Sequence, residues 1–546
     1  MKRKLLWDEV SRSDVSGHRI VSVKWVDTNK GTENKPEIRC RLVARDFRGA
    51  DTDREDLFAA TPPWELKKLL MSHAADRSNG KTRKMLLIDV KKAHLNSECT
   101  EDVFIELPEE VGAAQDKVGK LRRWLYGCRP AAAAWEAHSA HKLEEVGFKR
   151  GLATPVSFYH EEKDVNLVVH GDDFTFTGED ASLRWVEDMM SQWYEVKVRA
   201  RLGPGDQDDK EATLLGRIVR WEAWGISCEA NPKCRESVLE ALGLEKDSKS
   251  LTSPGTKDAD RDDDSLPKVF GDDREYRSIV ATINYMATDM PDLQFACKEA
   301  CREMSAPTVQ SWKKVKRIGR YLLGREKVVW MFPWKDGHGL LKVFTDSDWA
   351  GDLETRKSTS GGIITIGEHC LKTWSTNQSS PALSSCEAEY YAVVDGASRA
   401  LGMQTAAKEL GIEVGDLSVE IATDSSGAKS FASRRGSGRI RHIEVKWLWL
   451  QQAVADGRFR MTKVAGAKNP ADILTKYKGV RDFKDQLMRV NVQVVPRGHE
   501  QRGGASGDKE DDSALGGRAA GKPRVVSWAD VLDEEQQARE MNYDDG

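Results

Sequence analysis

Cysteine is sparse and scattered. The nine thiols stand at 40, 99, 128, 228, 234, 297, 301, 370 and 386, with no Cys-x-x-Cys pair among them. An odd count without pairing argues against a disulfide framework or a thiolate zinc cluster and for reduced thiols in an intracellular compartment. No stretch approaches the roughly 18 consecutive apolar residues of a membrane span. The opening residues, Met1-Lys-Arg-Lys-Leu-Leu-Trp-Asp, lack the apolar core of a secretory signal. Charge of one sign is not in excess either: 84 Lys+Arg face 88 Asp+Glu, a formal net charge of −4. With 39% hydrophobic and 32% charged residues over 546 positions, the composition is globular, and the length suggests about three or four domains.

The near-neutral total hides an asymmetry. From Asp508 onward eleven acids face five bases, so the rest of the chain is slightly positive. Basic clusters lie within it at Lys117 to Arg129, Lys313 to Arg320 and Arg434 to Arg441. Each could be a solvated face or a track for phosphates. The segment Ser248 to Asp273 is rich in Asp, Ser, Pro and Gly and reads as a linker. Tyr276 to Leu323 shows helical periodicity, through Trp312, Val315, Ile318 and Leu322.

Two constellations of acids stand out. Lys84-Met-Leu-Leu-Ile-Asp-Val90 reads as a buried strand ending in a carboxylate. Asn166 to Gly178 reads as a hairpin with Gly171-Asp172-Asp173 at its tip. Alone, each is an ordinary turn or strand end. Together, Asp89, Asp172 and Asp173 would repel one another unless cations neutralised them. Hard carboxylate oxygens suit Mg²⁺, and two such ions about 3.5–4 Å apart can clamp both oxygens of a phosphoryl displacement. That chemistry is nucleotide polymerisation.

In the C-terminal half, the strand Leu341 to Asp346 leads to a hairpin over Ser360 to Ser375. A long helix then runs from Ser384 to about Leu410, followed by a strand ending at Asp424 and a last helix opened by Lys468 to Lys476, with Asp472. Glu387 fits a capping box with Ser384, and Asp424 and Asp472 fit helix starts. Yet Asp346, Glu387, Asp424 and Asp472 stand together at two strand ends and two helix starts, a placement that capping alone does not account for.

The ordered motifs carry a resemblance. Arg39-Cys-Arg-Leu-Val-Ala-Arg45, Ile88-Asp-Val-Lys-Lys-Ala-His-Leu-Asn96, Leu125-Tyr-Gly127 with Trp135, and Val169-His-Gly-Asp-Asp173 resemble copia-type retrotransposon reverse transcriptases. Asp346-Ser-Asp-Trp-Ala-Gly351, Ser384-Ser-Cys-Glu-Ala-Glu-Tyr390 and Asn469-Pro-Ala-Asp-Ile-Leu-Thr-Lys476 resemble the ribonuclease H part of the same polyproteins. The similarity spans roughly residues 20–478 and implies an α+β chain: a right-hand fingers, palm and thumb-like domain over 1–245, an acidic linker over 246–275, a helical connection over 276–337, an α/β ribonuclease H-like domain over 338–478, and a disordered acidic tail over 496–546.

It also implies functions. Asp89, Asp172 and Asp173 would be palm metal ligands, and Arg41, Arg45 and His94 would meet the incoming dNTP. Asp346, Glu387, Asp424 and Asp472 would direct water at the RNA strand of an RNA·DNA hybrid. Lys120, Arg122, Arg123, Arg441 and His442 would contact nucleic acid. The expected cofactor is Mg²⁺, two per site, with Mn²⁺ as a substitute. The expected partners are RNA template, DNA primer, hybrid and dNTPs, without a membrane. The expected location is a cytoplasmic retrotransposon particle and the nucleus. Relatives carry protease and integrase regions upstream, and a chain starting near the fingers is expected to lack them. The sequence departs from the family at His94, which replaces an aromatic beneath the sugar, at His170, at Asp46 for Gly, and at Pro130 for Gln. Two alternatives follow: a catalytically impaired nucleic-acid-binding remnant, or an active ribonuclease H beside a dead polymerase.

Overall fold

A computed structural model describes residues 6–29, 35–47, 57–256, 272–337, 339–438 and 442–497. The strand Lys84–Val90 shows how the centre is built. Successive side chains on a strand point to opposite faces, so an unbroken apolar run implies cover on both. Met85 and Leu87 join one core with Leu66, Leu69 and Leu70 of the helix Trp64–Ala74. Leu86, Ile88 and Val90 join another with the helices Ala131–Glu145 and Asp180–Trp193. The sheet runs in the order Val196–Leu202, Lys84–Val90, Asp173–Gly178, Val165–His170, Ser157–His160, Lys149–Arg150, antiparallel throughout. Beside it stand a hairpin, Val23–Asn29 with Ile38–Ala44, and a four-stranded sheet containing Lys117–Leu121.

The region expected to be a helical connection holds three helices, Asp273–Ala287, Pro291–Cys301 and Val309–Leu323, but it also carries the strand Arg325–Pro333. That strand sits in a five-stranded sheet with Glu211–Leu214, Arg217–Glu222, Gly225–Ala230 and Val492–Pro496. The sheet therefore draws on segments from both sides of the connection. Residue 496 is a strand end rather than the start of the tail, and 498–546 lie outside the described residues. The linker is described only at its ends, where Leu251 N–H donates to the Arg320 carbonyl and Asp272 caps the following helix.

The last sheet has the order His369–Asn377, Thr359–Ile366, Leu340–Ser347, Gly415–Thr423, Phe459–Lys463, with its final two pairings parallel. The helix Ser385–Glu409 crosses it. Around Asp472 there is only a single 3₁₀ turn, Pro470–Leu474, in place of the expected helix. Asn469 caps that turn and donates to the Thr345 carbonyl, which draws the chain back onto the central strand. The mixture of helices and sheets is the α+β class expected. Among the described residues, no helix is long and apolar enough to cross a membrane.

Two candidate active sites

At the first site, Asp89 stands directly opposite Asp173 on neighbouring strands. His170 pairs with Asp173 across a two-residue turn, Gly171-Asp172, and Gly171 has φ +60°, where a side chain would be strained. Two bonds fix the tip. The Asp172 carbonyl accepts from Val90 N–H at 2.9 Å, and the Gly171 carbonyl accepts from Trp135 Nε1 at 2.9 Å. Beneath it, the buried Lys67 ammonium donates to the Val168 carbonyl and to Thr175 Oγ1, both at 2.9 Å, tying the two hairpin strands together. Burial pushes that amine down to about 7. Burial pushes the Asp173 carboxyl up to about 7; Arg199 opposes the rise, and Asp172 and Asp89 add to it.

His94 and Arg41 gather beside these acids. The His94 ring lies 4.7 Å from Tyr126, centroid to centroid, and the Arg41 guanidinium sits 5.6 Å from the same ring. Burial, then the Arg41 charge, pushes the His94 imidazole down to about 4, so it is neutral at pH 7. Burial, then the Asp172 charge, raises the Tyr126 hydroxyl above its ordinary range, with Arg41 opposing. Gly127 lets this pocket close: its φ is +82°, and a Cβ there would strike the Ala44 carbonyl. Arg45 is exposed past the end of the Ile38–Ala44 strand, and its N–H donates to the Ser22 carbonyl.

At the second site the structure corrects one choice. Asp346, Glu389 and Asp424 bring ligand oxygens within 4.8 Å of one another, and among the described residues this is the only such group of acids, histidines or cysteines. Glu387 is not in it. Helix residues two apart point about 200° away from each other, so 387 and 389 cannot share a face. Glu387 serves as a cap: its N–H donates to Ser384 Oγ, and its carboxylate accepts from Leu383 N–H, from the Tyr391 hydroxyl and from His442 Nε2. Glu389 lies in the apolar run Ala388 to Val394, where a lone charge is itself a signal.

The residues present suit a cation. Glu389 Oε2 is buried with no hydrogen-bond partner. Burial, then the charges of Asp346 and Asp424, pushes the Glu389 carboxyl up to about 9. Burial likewise raises Asp346 to about 7, with Lys476 and Thr475 opposing and Asp472 and Asp424 adding. Asp472 adjoins the group. Burial works against its charged form, yet Lys476 and Lys478 hold its carboxyl below the usual range. Hard oxygens crowded in this way are the donor set of Mg²⁺.

The expected nucleic-acid contacts fare differently. Lys120, Arg122 and Arg123 are engaged by Asp102 at 2.6 Å, Asp8 at 2.6 Å and Glu98 at 3.6 Å. His442 faces Glu387, and Arg441 lies outside the described residues. Sequence reading missed Lys67 and Arg199 altogether; Arg199 Nη2 lies 2.6 Å from Asp89 and 3.6 Å from Asp173.

Residues 6–203 match the reverse transcriptase (RNA-dependent DNA polymerase) family. The retrovirus-related Pol polyprotein from transposon RE2 of Arabidopsis thaliana is 27% identical over 87% of this chain and 32% of its own length. That from transposon TNT 1-94 of Nicotiana tabacum is 27% identical over 84% and 35%. These matches make the chain similar to copia-type Pol polyproteins over most of its length. The chain spans about a third of the length of these curated relatives. A solved foamy viral protease-reverse transcriptase in complex with an RNA/DNA hybrid aligns with 82% of this chain and 50% of its own, at 12% identity and a TM-score of 0.45.

Proposed function

We propose that this copia-type chain is an RNA-directed DNA polymerase that also cuts the RNA strand of RNA·DNA hybrids. The observation that carries the first activity is the pairing of Asp89 with Asp173 on adjacent strands, with Asp172 clasped to Val90 at the tip between them. Asp89, Asp172 and Asp173 would hold divalent ions there, and Asp346, Glu389, Asp424 and Asp472 would hold them at the second site. Two Mg²⁺ ions bound at each site supply the charge that activates the attacking oxygen and steadies the leaving one.

The chain's own groups do the rest. Arg41, beside Tyr126, meets the triphosphate with a planar fork suited to phosphate oxygens. His94, tilted at 35° against the Tyr126 ring and neutral, would lie beneath the sugar of the incoming nucleotide. Trp135 and Lys67 hold the hairpin still, so the acids need no rearrangement during the reaction. At the second site, the crowding of Asp346, Glu389 and Asp424 favours a cation over a second set of protons. The partners that follow are an RNA template, a DNA primer, their hybrid and dNTPs.

The test is primer extension on a homopolymer template by purified protein. The wild type incorporates dNTP in the presence of Mg²⁺ or Mn²⁺, and Asp173→Asn does not. Hybrid binding without incorporation by the wild type would overturn the polymerase reading and favour an impaired binding remnant.

A further inference from the structure

The palm acids already carry a cation of the chain's own. The strand Val196–Leu202 is the edge of its sheet. Its register against Lys84–Val90 slips between Val198, opposite Ile88, and Ala200, opposite Leu87. Regular alternation would have set Arg199 opposite Leu87; the slip makes it the inserted residue. Such bulges re-aim side chains, and this one delivers Nη2 to 2.6 Å from Asp89 Oδ1 and 3.6 Å from Asp173 Oδ1.

We propose that Arg199 is a positioning residue for the palm acids: it holds Asp89 and Asp173 together before metal arrives and yields its place when a divalent ion binds. The inference rests on the metal reading of that site given above. Two neighbouring carboxylates repel unless a positive group spans them. A guanidinium has the fork to span two acids, and it does not lose its proton, so an incoming ion must move it rather than wait for it to turn neutral. The Arg199 side chain is 37% exposed and springs from an edge strand, which gives it a path towards solvent. The second site has the same device: Lys476 is ion-paired with Asp472 and lies 3.9 Å from Asp346.

The prediction runs against ordinary intuition for a residue touching catalytic acids, since its removal strengthens metal binding. In the full chain, with Asp346→Asn and Glu389→Gln silencing the second site, Mn²⁺ is titrated and the free ion followed by its electron paramagnetic resonance signal. Asp89→Asn removes the palm-site binding. Arg199→Gln tightens it by on the order of tenfold, because a like charge near the ion is gone. Arg199→Lys falls between. Thermal unfolding in EDTA shows a lower midpoint for Arg199→Gln than for its parent, with a larger rise on adding Mn²⁺. Unchanged or weaker Mn²⁺ binding by Arg199→Gln overturns the proposal. Failure of the metal reading itself looks different: the parent then shows no Mn²⁺ binding sensitive to Asp89→Asn, and the proposal falls with it.

Discussion

Exchanging either of two glutamates two residues apart on one helix tests the second site with opposite signs. Glu389 sits in a group whose oxygens lie within 4.8 Å of one another, and with its carboxyl pushed up to about 9 it holds, without metal at pH 7, a proton that the unfolded chain gives up. At that distance, with an effective dielectric near 20, two unit charges repel by about 3 kcal/mol. Part of this is already relieved by Lys476 near Asp346. Without metal, Glu389→Gln spares the chain that proton uptake on folding and is therefore expected to stabilise the protein by about 1–2 kcal/mol. The same exchange should abolish hybrid cleavage. Glu387→Gln keeps an acceptor for Tyr391 but loses the bonds from Leu383 N–H and His442. It should cost about 1–2 kcal/mol and leave cleavage nearly intact. Urea denaturation in EDTA and cleavage of a labelled RNA·DNA duplex read both quantities. If Glu387→Gln stopped cleavage while Glu389→Gln spared it, the reasoning from helix face and crowding would be refuted.

Three further outcomes are expected. Lys67→Met leaves the Val168 carbonyl and Thr175 hydroxyl without their buried donor and should destabilise by about 1–3 kcal/mol in urea melts. Gly127→Ala forces a Cβ onto the Ala44 carbonyl at φ +82°, which should cost about 2 kcal/mol or more and slow primer extension by parting the Ile38–Ala44 strand from Tyr126. Burial holds the His73 and His369 imidazoles down at about 3, so the folded chain keeps them neutral while the unfolded chain takes up protons below about 6.5. Their contribution to stability is then full above about pH 6.5 and is lost by about 1.4 kcal/mol per pH unit for each imidazole as pH falls towards 3. Urea midpoints between pH 7 and 5 should fall less steeply in His369→Gln; an unchanged slope would contradict this.

The first site was legible because its signals are local. An apolar run ending in Asp89 and a Gly-Asp-Asp turn between two such runs fix which strands bury and where their ends lie. Glu389 was missed because Ser384-x-x-Glu387 is a true capping motif, and it drew the assignment to the residue that caps. The contrary signal was a single charge inside Ala388 to Val394, and weighing it requires the helix face to be known. The basic cluster at Lys120, Arg122 and Arg123 looked free for phosphates because its acidic partners Asp102, Asp8 and Glu98 are not aligned with it by any sequence pattern. Lys67 and Lys68 belong to no motif that the sequence offers, yet both are buried, Lys68 with its ammonium over the Trp330 ring. The sheet joining Gly225–Ala230, Arg325–Pro333 and Val492–Pro496 rests on pairings between segments far apart in the chain, which periodicity does not report.

Two separate acidic centres are at stake, one at the Gly171-Asp172-Asp173 hairpin and one on the last sheet. Assaying Asp89→Asn and Asp346→Asn side by side for dNTP incorporation and for hybrid cleavage tests this most directly. Asp89→Asn should lose incorporation and keep cleavage, and Asp346→Asn should do the reverse. Loss of both activities in either folded variant would contradict it.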